Sequence, residues 1–218
     1  MTAVPKQEKL AALFKQAVVI PVLTIERVQD AAPLARALVA GGVRTLEVTL
    51  RTAVAVEAAK AIIAEVPEAI VGIGTILNAD DLARAKALGA VFGISPGATP
   101  DLLKAAAASG LPFAPGIATA SELMAALAAG FDLVKFFPAE PSGGIKALRA
   151  LAGPFPNALF CPTGGVSEAN AAAWLAEPNV LCVGGSWVCP AADIRSGNWA
   201  GITAMCERAM KSLKPAPR

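Results

Sequence analysis

The 218 residues include 19 basic and 17 acidic side chains, for a net charge of +2, and 55% of them are hydrophobic. That is enough apolar material for one substantial domain, while the basic charge is too weak and too dispersed for a nucleic-acid partner. With no histidine and no tyrosine, a His-based triad, an imidazole zinc site and a histidine general base are all excluded. Acid–base chemistry then falls to carboxylate, amine, thiol or hydroxyl groups.

Residues 5–16 alternate charged and apolar positions (Lys6, Glu8, Lys9, Lys15) and predict a short amphipathic helix, not a secretory signal. Strand-like apolar runs follow at 18–23, 45–50, 70–75, 91–95, 113–117, 133–137, 159–163 and 180–184. Between them lie helical patterns at 28–39, 54–66, 79–88, 100–109, 121–129, 145–151, 168–175 and 199–213, with Asn78, Thr99 and Ser167 at N-cap positions. Gly89, Gly110, Gly130 and Gly153 recur after helical segments, in the role that Gly41–Gly42 takes earlier. Eight strands alternating with eight helices predict a single (β/α)8 TIM barrel over residues 1–218, with residues 1–16 as an extra N-terminal helix and 214–218 as a loose tail. An open doubly wound sheet is the competitor, with no dinucleotide fingerprint or P-loop to favour it. The uncharged stretch 105–121 is broken by Gly110, Pro112, Pro115 and Gly116, whereas a membrane span needs ~20 unbroken apolar residues. Cys161, Cys182, Cys189 and Cys206 form no CxxC pair and read as buried free thiols of a cytoplasmic protein.

A barrel carries its chemistry where strands end and βα loops begin. Lys135 lies inside the strand run Leu133-Val134-Lys135-Phe136-Phe137. Burial there disfavours the ammonium and favours the neutral amine, the form that attacks a carbonyl; a lysine snorkelling from a strand edge is the bland alternative. In the run 45–51, Thr45, Glu47, Thr49 and Arg51 share one face, which brings a carboxylate and a guanidinium to one strand end. Glu47 suits proton transfer and Arg51 suits a substrate carboxylate, although the two could equally form a structural ion pair. Thr75 could add a hydroxyl to that carboxylate, with Pro96 and Phe137 as pocket walls. The ends of the last two strands, Thr163-Gly164-Gly165 and Gly184-Gly185-Ser186, are glycine-rich. At those two positions such loops suit a phosphate, unless they are only tight turns.

These motifs resemble the family of 2-keto-3-deoxy-6-phosphogluconate (KDPG) and 4-hydroxy-2-oxoglutarate (KHG) aldolases. The resemblance rests on residues 42–51 (GVRTLEVTLR) and 130–143 (GFDLVKFFPAEPSG), and continues through Gly74-Thr75, Ser95-Pro96-Gly97, Pro115-Gly116-Ile117, Pro162-Thr163-Gly164-Gly165 and Gly184-Gly185-Ser186-Trp187. It implies a class I, metal-independent aldolase: a cytoplasmic homotrimer of the Entner–Doudoroff pathway that splits a phosphorylated 2-keto acid to pyruvate and glyceraldehyde 3-phosphate. It places the Schiff-base lysine on Lys135, the proton shuttle on Glu47, the pyruvate-carboxylate ligands on Arg51 and Thr75, and the phosphate on Gly164, Gly165 and Ser186, with Thr163 lining the pocket. Gly184 and Gly185 belong to the same phosphate rim. An aldolase for the galactonate epimer, a phosphosugar isomerase using Glu47 without an imine, and a non-catalytic or engineered trimeric scaffold remain as alternatives.

Overall fold

The computed structural model describes residues 4–213; the tail expected to be loose, 214–218, lies outside the described residues. Helix α1 (Val4–Ala17) is followed by β1 (Val19–Leu23), α2 (Val28–Ala40), β2 (Thr45–Thr49), α3 (Ala55–Glu65), β3 (Ile70–Gly74), α4 (Ala79–Ala87), β4 (Phe92–Ile94) and α5 (Pro100–Ser109). The chain continues through β5 (Phe113–Ala114), β6 (Gly116–Ile117), α6 (Ala120–Ala128), β7 (Leu133–Phe136), α7 (Gly144–Ala152), β8 (Leu159–Pro162), α8 (Ala171–Leu175), β9 (Val183–Gly185), α9 (Ala191–Ser196) and α10 (Trp199–Ser212). It is an α/β fold in which a parallel sheet curls around a concave face.

Six strands pair in the order β5-β4-β3-β2-β1-β9 and three in the order β6-β7-β8, every pair parallel. The strand expected at 113–117 is split into β5 and β6 because Pro115 has no N–H for a ladder. Its carbonyl still accepts from the Lys135 N–H at 2.9 Å. Isolated parallel bridges, Phe160 with Val180 and Thr163 with Gly184, tie β8 to the chain entering β9. Since the strands run the same way, their carboxyl ends share one edge.

Alternation sorts the side chains between two faces. Leu46, Val48, Val134, Phe136 and Phe160 pack against the helices in the larger apolar cluster. Ile20, Phe92, Ile94, Leu133 and Cys161 form a second cluster on the concave face with Leu10 and Phe14 of α1. Phe14 meets Phe92 edge-on at 5.4 Å between centroids, so α1 covers the amino end of that face. Gln7 of the same helix donates to the Phe113 carbonyl at 2.9 Å and accepts from the Leu133 N–H at 3.3 Å. It thereby spans the gap between β5 and β7, which share no ladder.

Three expectations change. Ser167 caps no helix, because residues 168–170 form turns and α8 begins at Ala171; the Ser167 N–H donates instead to Asn170 Oδ1 at 2.8 Å. The strand expected at 180–184 is displaced to Val183–Gly185. The short helix α9 was not expected: it buries Ile194 alone, so it carries no apolar period. Asn78 and Thr99 do cap, accepting from the N–H groups of Asp81 and Leu102. All four cysteines are buried thiols, and among the described residues no helix is long and apolar enough to cross a membrane.

Candidate active site

Lys135 is the third residue of β7 and shares the concave face with Leu133. Glu47 reaches the same space from β2, 88 residues away in sequence. Lys135 Nζ donates to both Glu47 oxygens, at 2.9 and 3.2 Å, and the two side chains are 3% and 2% exposed. Desolvating two charges is costly and is tolerated here because the contact is direct and two-pronged. Room for the carboxylate comes from β3: a Cβ at Gly74 would overlap Glu47 Oε1. Lys135 Nζ also stands 5.5 Å from the centre of the Phe137 ring. Burial, helped by a nearby cation, was expected to favour the free amine of Lys135. The structure adds a base in contact with it, so a proton can pass from Nζ to Glu47 and leave a nucleophilic amine beside its own acid.

Arg51 lies in the exposed turn after β2, and its Nε donates to Thr75 Oγ1 at 3.1 Å. Thr75 closes β3 with φ of +60°, a left-handed conformation unfavourable for a β-branched residue. Strain of this kind persists where surrounding contacts hold a residue in place, and here the hydroxyl is aimed at Arg51. Thr49, on the Glu47 face, donates to the Leu23 carbonyl at 2.8 Å and is fully buried, so it has a structural task.

Beside Arg51, at the carboxyl edge, opens a cavity of about 200 Å³ walled by Thr163, Gly164, Gly165, Gly185 and Ser186. Val22, Thr24 and Val166 complete it; sequence reasoning missed all three, although the place of Val22 and Thr24 at the end of the first strand was a usable signal. Gly164 and Gly165 have φ of +97° and +82°, which admits no ordinary side chain at low cost. Gly184 does not line the cavity. A Cβ there would overlap Thr163 Oγ1, so this glycine seats Thr163. Pro96 and Phe137 are half-buried and pack nearby: the Pro96 backbone abuts Gly116, and the Phe137 ring abuts Gly164.

A lysine paired with a carboxylate inside a curled parallel sheet, next to a glycine-lined cavity at the strand ends, has the parts of a carbonyl-handling α/β enzyme. The family model for KDPG and KHG aldolase matches residues 10–205, and the chain belongs to that family. It is 52% identical over 198 residues to the 2-dehydro-3-deoxy-phosphogluconate aldolase of Pseudoalteromonas atlantica, covering 91% of this chain and 92% of that one. Over 196 residues it is 53% identical to the KHG/KDPG aldolase of Escherichia coli K12, covering 90% and 92%. Among solved structures, the KDPG aldolase of Legionella pneumophila, with pyruvate captured as a covalent carbinolamine, superposes with a TM-score of 0.89 at 46% identity, over 91% of this chain and 97% of that one. The enzyme of Zymomonas mobilis ZM4 with 3-phosphoglycerate gives 0.90 at 47%, over 96% and 98%.

Proposed function

We propose that this chain is a class I aldolase cleaving 2-keto-3-deoxy-6-phosphogluconate to pyruvate and glyceraldehyde 3-phosphate through an imine on Lys135. The observation that carries the reading is the buried contact between Lys135 Nζ and both oxygens of Glu47. Glu47 takes a proton from Nζ, and the amine adds to the C2 ketone. Loss of water, with Glu47 returning a proton to the departing oxygen, gives the iminium. Glu47 then removes the C4 hydroxyl proton. The C3–C4 electrons move into the iminium, the aldehyde leaves, and an enamine remains. Protonation at C3 and hydrolysis release pyruvate and restore Lys135. The iminium is the electron sink, so the scheme calls for no metal.

Arg51 and Thr75 hold the carboxylate, which fixes the ketone carbon against Nζ. Pro96, Phe137 and Thr163 wall the reacting carbons. Gly164, Gly165, Gly185 and Ser186 receive the phosphate, with Gly184 behind Thr163. The carbinolamine of the Legionella relative and the phosphorylated three-carbon acid in the Zymomonas relative support these assignments. The double name of the Escherichia relative favours 4-hydroxy-2-oxoglutarate as a second substrate.

The sheet closes, on this reading, as an eight-stranded barrel. Its supports are the two bridges between β8 and the approach to β9, the chain continuity of β5 and β6, and a Lys135–Glu47 contact across the hollow. A cytoplasmic homotrimer completes the proposal, with exposed Leu77 and Met124 as apolar surface available for subunit contact.

Borohydride reduction in the presence of pyruvate tests the chemistry. One pyruvate-derived adduct on the peptide containing Lys135 is expected. A folded protein without that adduct sinks the imine and promotes the isomerase or scaffold alternatives.

A further inference from the structure

The glycine loop after β8 is held from behind by residues that line no part of the cavity. The Glu140 N–H donates to the Gly164 carbonyl at 3.0 Å. Asn170 Nδ2 donates to the Gly165 carbonyl at 3.0 Å and to Glu140 Oε1 at 3.2 Å, while its Oδ1 accepts from the Ser167 N–H at 2.8 Å. Trp174, fully buried in α8, donates its indole N–H to the same Glu140 oxygen at 3.0 Å. Its ring lies edge-on to Phe136, the residue after Lys135, at 6.3 Å. One carboxylate thus joins the loop after β7 to the loop after β8 and to the core.

Peptide geometry converts this into a statement about the cavity. In a trans peptide, the carbonyl of one residue and the N–H of the next point in opposite directions. With the carbonyls of Gly164 and Gly165 turned towards Glu140 and Asn170, the N–H groups of Gly165 and Val166 turn the other way, on the cavity side. Neither N–H donates to any described group. Two adjacent free N–H groups on a glycine turn make an anion nest.

We propose that Glu140, Asn170 and Trp174 are positioning residues that fix the glycine loop with its N–H groups aimed at the phosphate, and so set the preference for phosphorylated over unphosphorylated 2-keto acids. This rests on the function proposed above. Glu140 is well placed because its carboxylate sits behind the loop. A Cβ at Gly165 would meet Glu140 Cβ and Cγ at 2.5 and 2.6 Å, so the glycine permits the close approach that makes the latch. Losing a latch bond leaves the chemistry at Lys135 in place and frees the loop to turn its carbonyls towards the phosphate.

The test uses Asn170→Asp, which removes the donor to Gly165 and Glu140 at unchanged size, and Trp174→Phe, which keeps a smaller aromatic ring and removes the N–H. KM and kcat are measured for 2-keto-3-deoxy-6-phosphogluconate and for 4-hydroxy-2-oxoglutarate, beside borohydride trapping with pyruvate. The expected result for Asn170→Asp is a rise of up to about tenfold in KM for the phosphorylated substrate, in line with loss of a hydrogen bond of ordinary net strength. Its kcat, its KM for the unphosphorylated substrate and its pyruvate adduct stay near those of the parent. Trp174→Phe shifts the same KM by less, and Glu140→Gln, which keeps an acceptor, preserves most of the parent's preference. Equal losses on both substrates, or an unchanged KM ratio in both Asn170→Asp and Trp174→Phe, overturn the latch. A parent protein that traps no pyruvate overturns the aldolase reading itself, an outcome distinguishable from failure of the latch alone.

Discussion

At the amino end of the concave face, Leu10, Phe14, Ile20, Phe92 and Leu133 pack without a charge among them. At the carboxyl edge the same face carries Glu47, Lys135 and Thr163, with Arg51 and the glycine loops beyond. Leu133 and Lys135 are two residues apart on one strand and belong to these two different environments. The first end is covered by α1 and gains stability from apolar burial, about 1.5–3 kcal/mol for each large side chain. The second holds a desolvated ion pair, a threonine at positive φ and glycines that bury no side chain of their own. Stability and chemistry are segregated along the strand axis, and substitutions at the two ends should separate them.

The strongest break is Lys135→Met, for which cleavage should fall to background in a pyruvate-release assay. Because Glu47 then stays buried without its partner, denaturant unfolding should also show a loss of roughly 3–5 kcal/mol, part of which Glu47→Gln restores in the double variant. Surviving turnover would remove Lys135 from the reaction. Gly74→Ala keeps both reacting groups and pushes the carboxylate away. A displacement of that order should lower kcat/KM roughly 100-fold, and an unaffected kcat/KM would mean that the position of Glu47 is not critical.

At the opposite end, Phe14→Ala should cost about 3–5 kcal/mol in unfolding free energy while KM and kcat of the folded fraction hold; a changed KM would show that the two ends are coupled. Gln7→Leu leaves the Phe113 carbonyl and the Leu133 N–H without that partner, for an expected loss of about 1–3 kcal/mol. The smallest effect concerns thiols. Burial pushes Cys189 and Cys206 up to about 12 from an ordinary value of 9.0. Between those values the folded state binds more protons than the unfolded one, so their contribution is intact below pH 9 and is lost as pH rises towards 12. Melting temperatures of the parent and a Cys189→Ala/Cys206→Ala variant should converge over that range, and iodoacetamide at pH 8 should label neither thiol in the native protein.

Much of the architecture was legible because local chemistry and tertiary packing agree. Asn78 and Thr99 cap where their side chains can accept an N–H, and β2 alternates polar and apolar residues between two faces that are both buried. Reading failed where the deciding contact is distant or the element is short. Ser167 looks like a cap, but Asn170 competes for the same turn through Gly165 and Glu140. Helix α9 lacks an apolar stripe. Pro115 was visible, yet its consequence, a strand divided between two sheets, depends on neighbours on both sides.

For the site, the sequence by itself determined the inventory: a lysine in an apolar strand, a carboxylate on an alternating strand, and glycines at two strand ends. Those follow from residue type and period, which are properties of short segments. Only the tertiary structure decided that Lys135 Nζ meets Glu47 across 88 residues of chain, that Gly74 supplies the space for that carboxylate, and that Gly184 seats Thr163 while Gly164 and Gly165 line the cavity. These are outcomes of strand register and sheet curvature. A shift of one residue in either would turn Lys135 or Glu47 to the helix-packed face, so no local pattern could have fixed the contact.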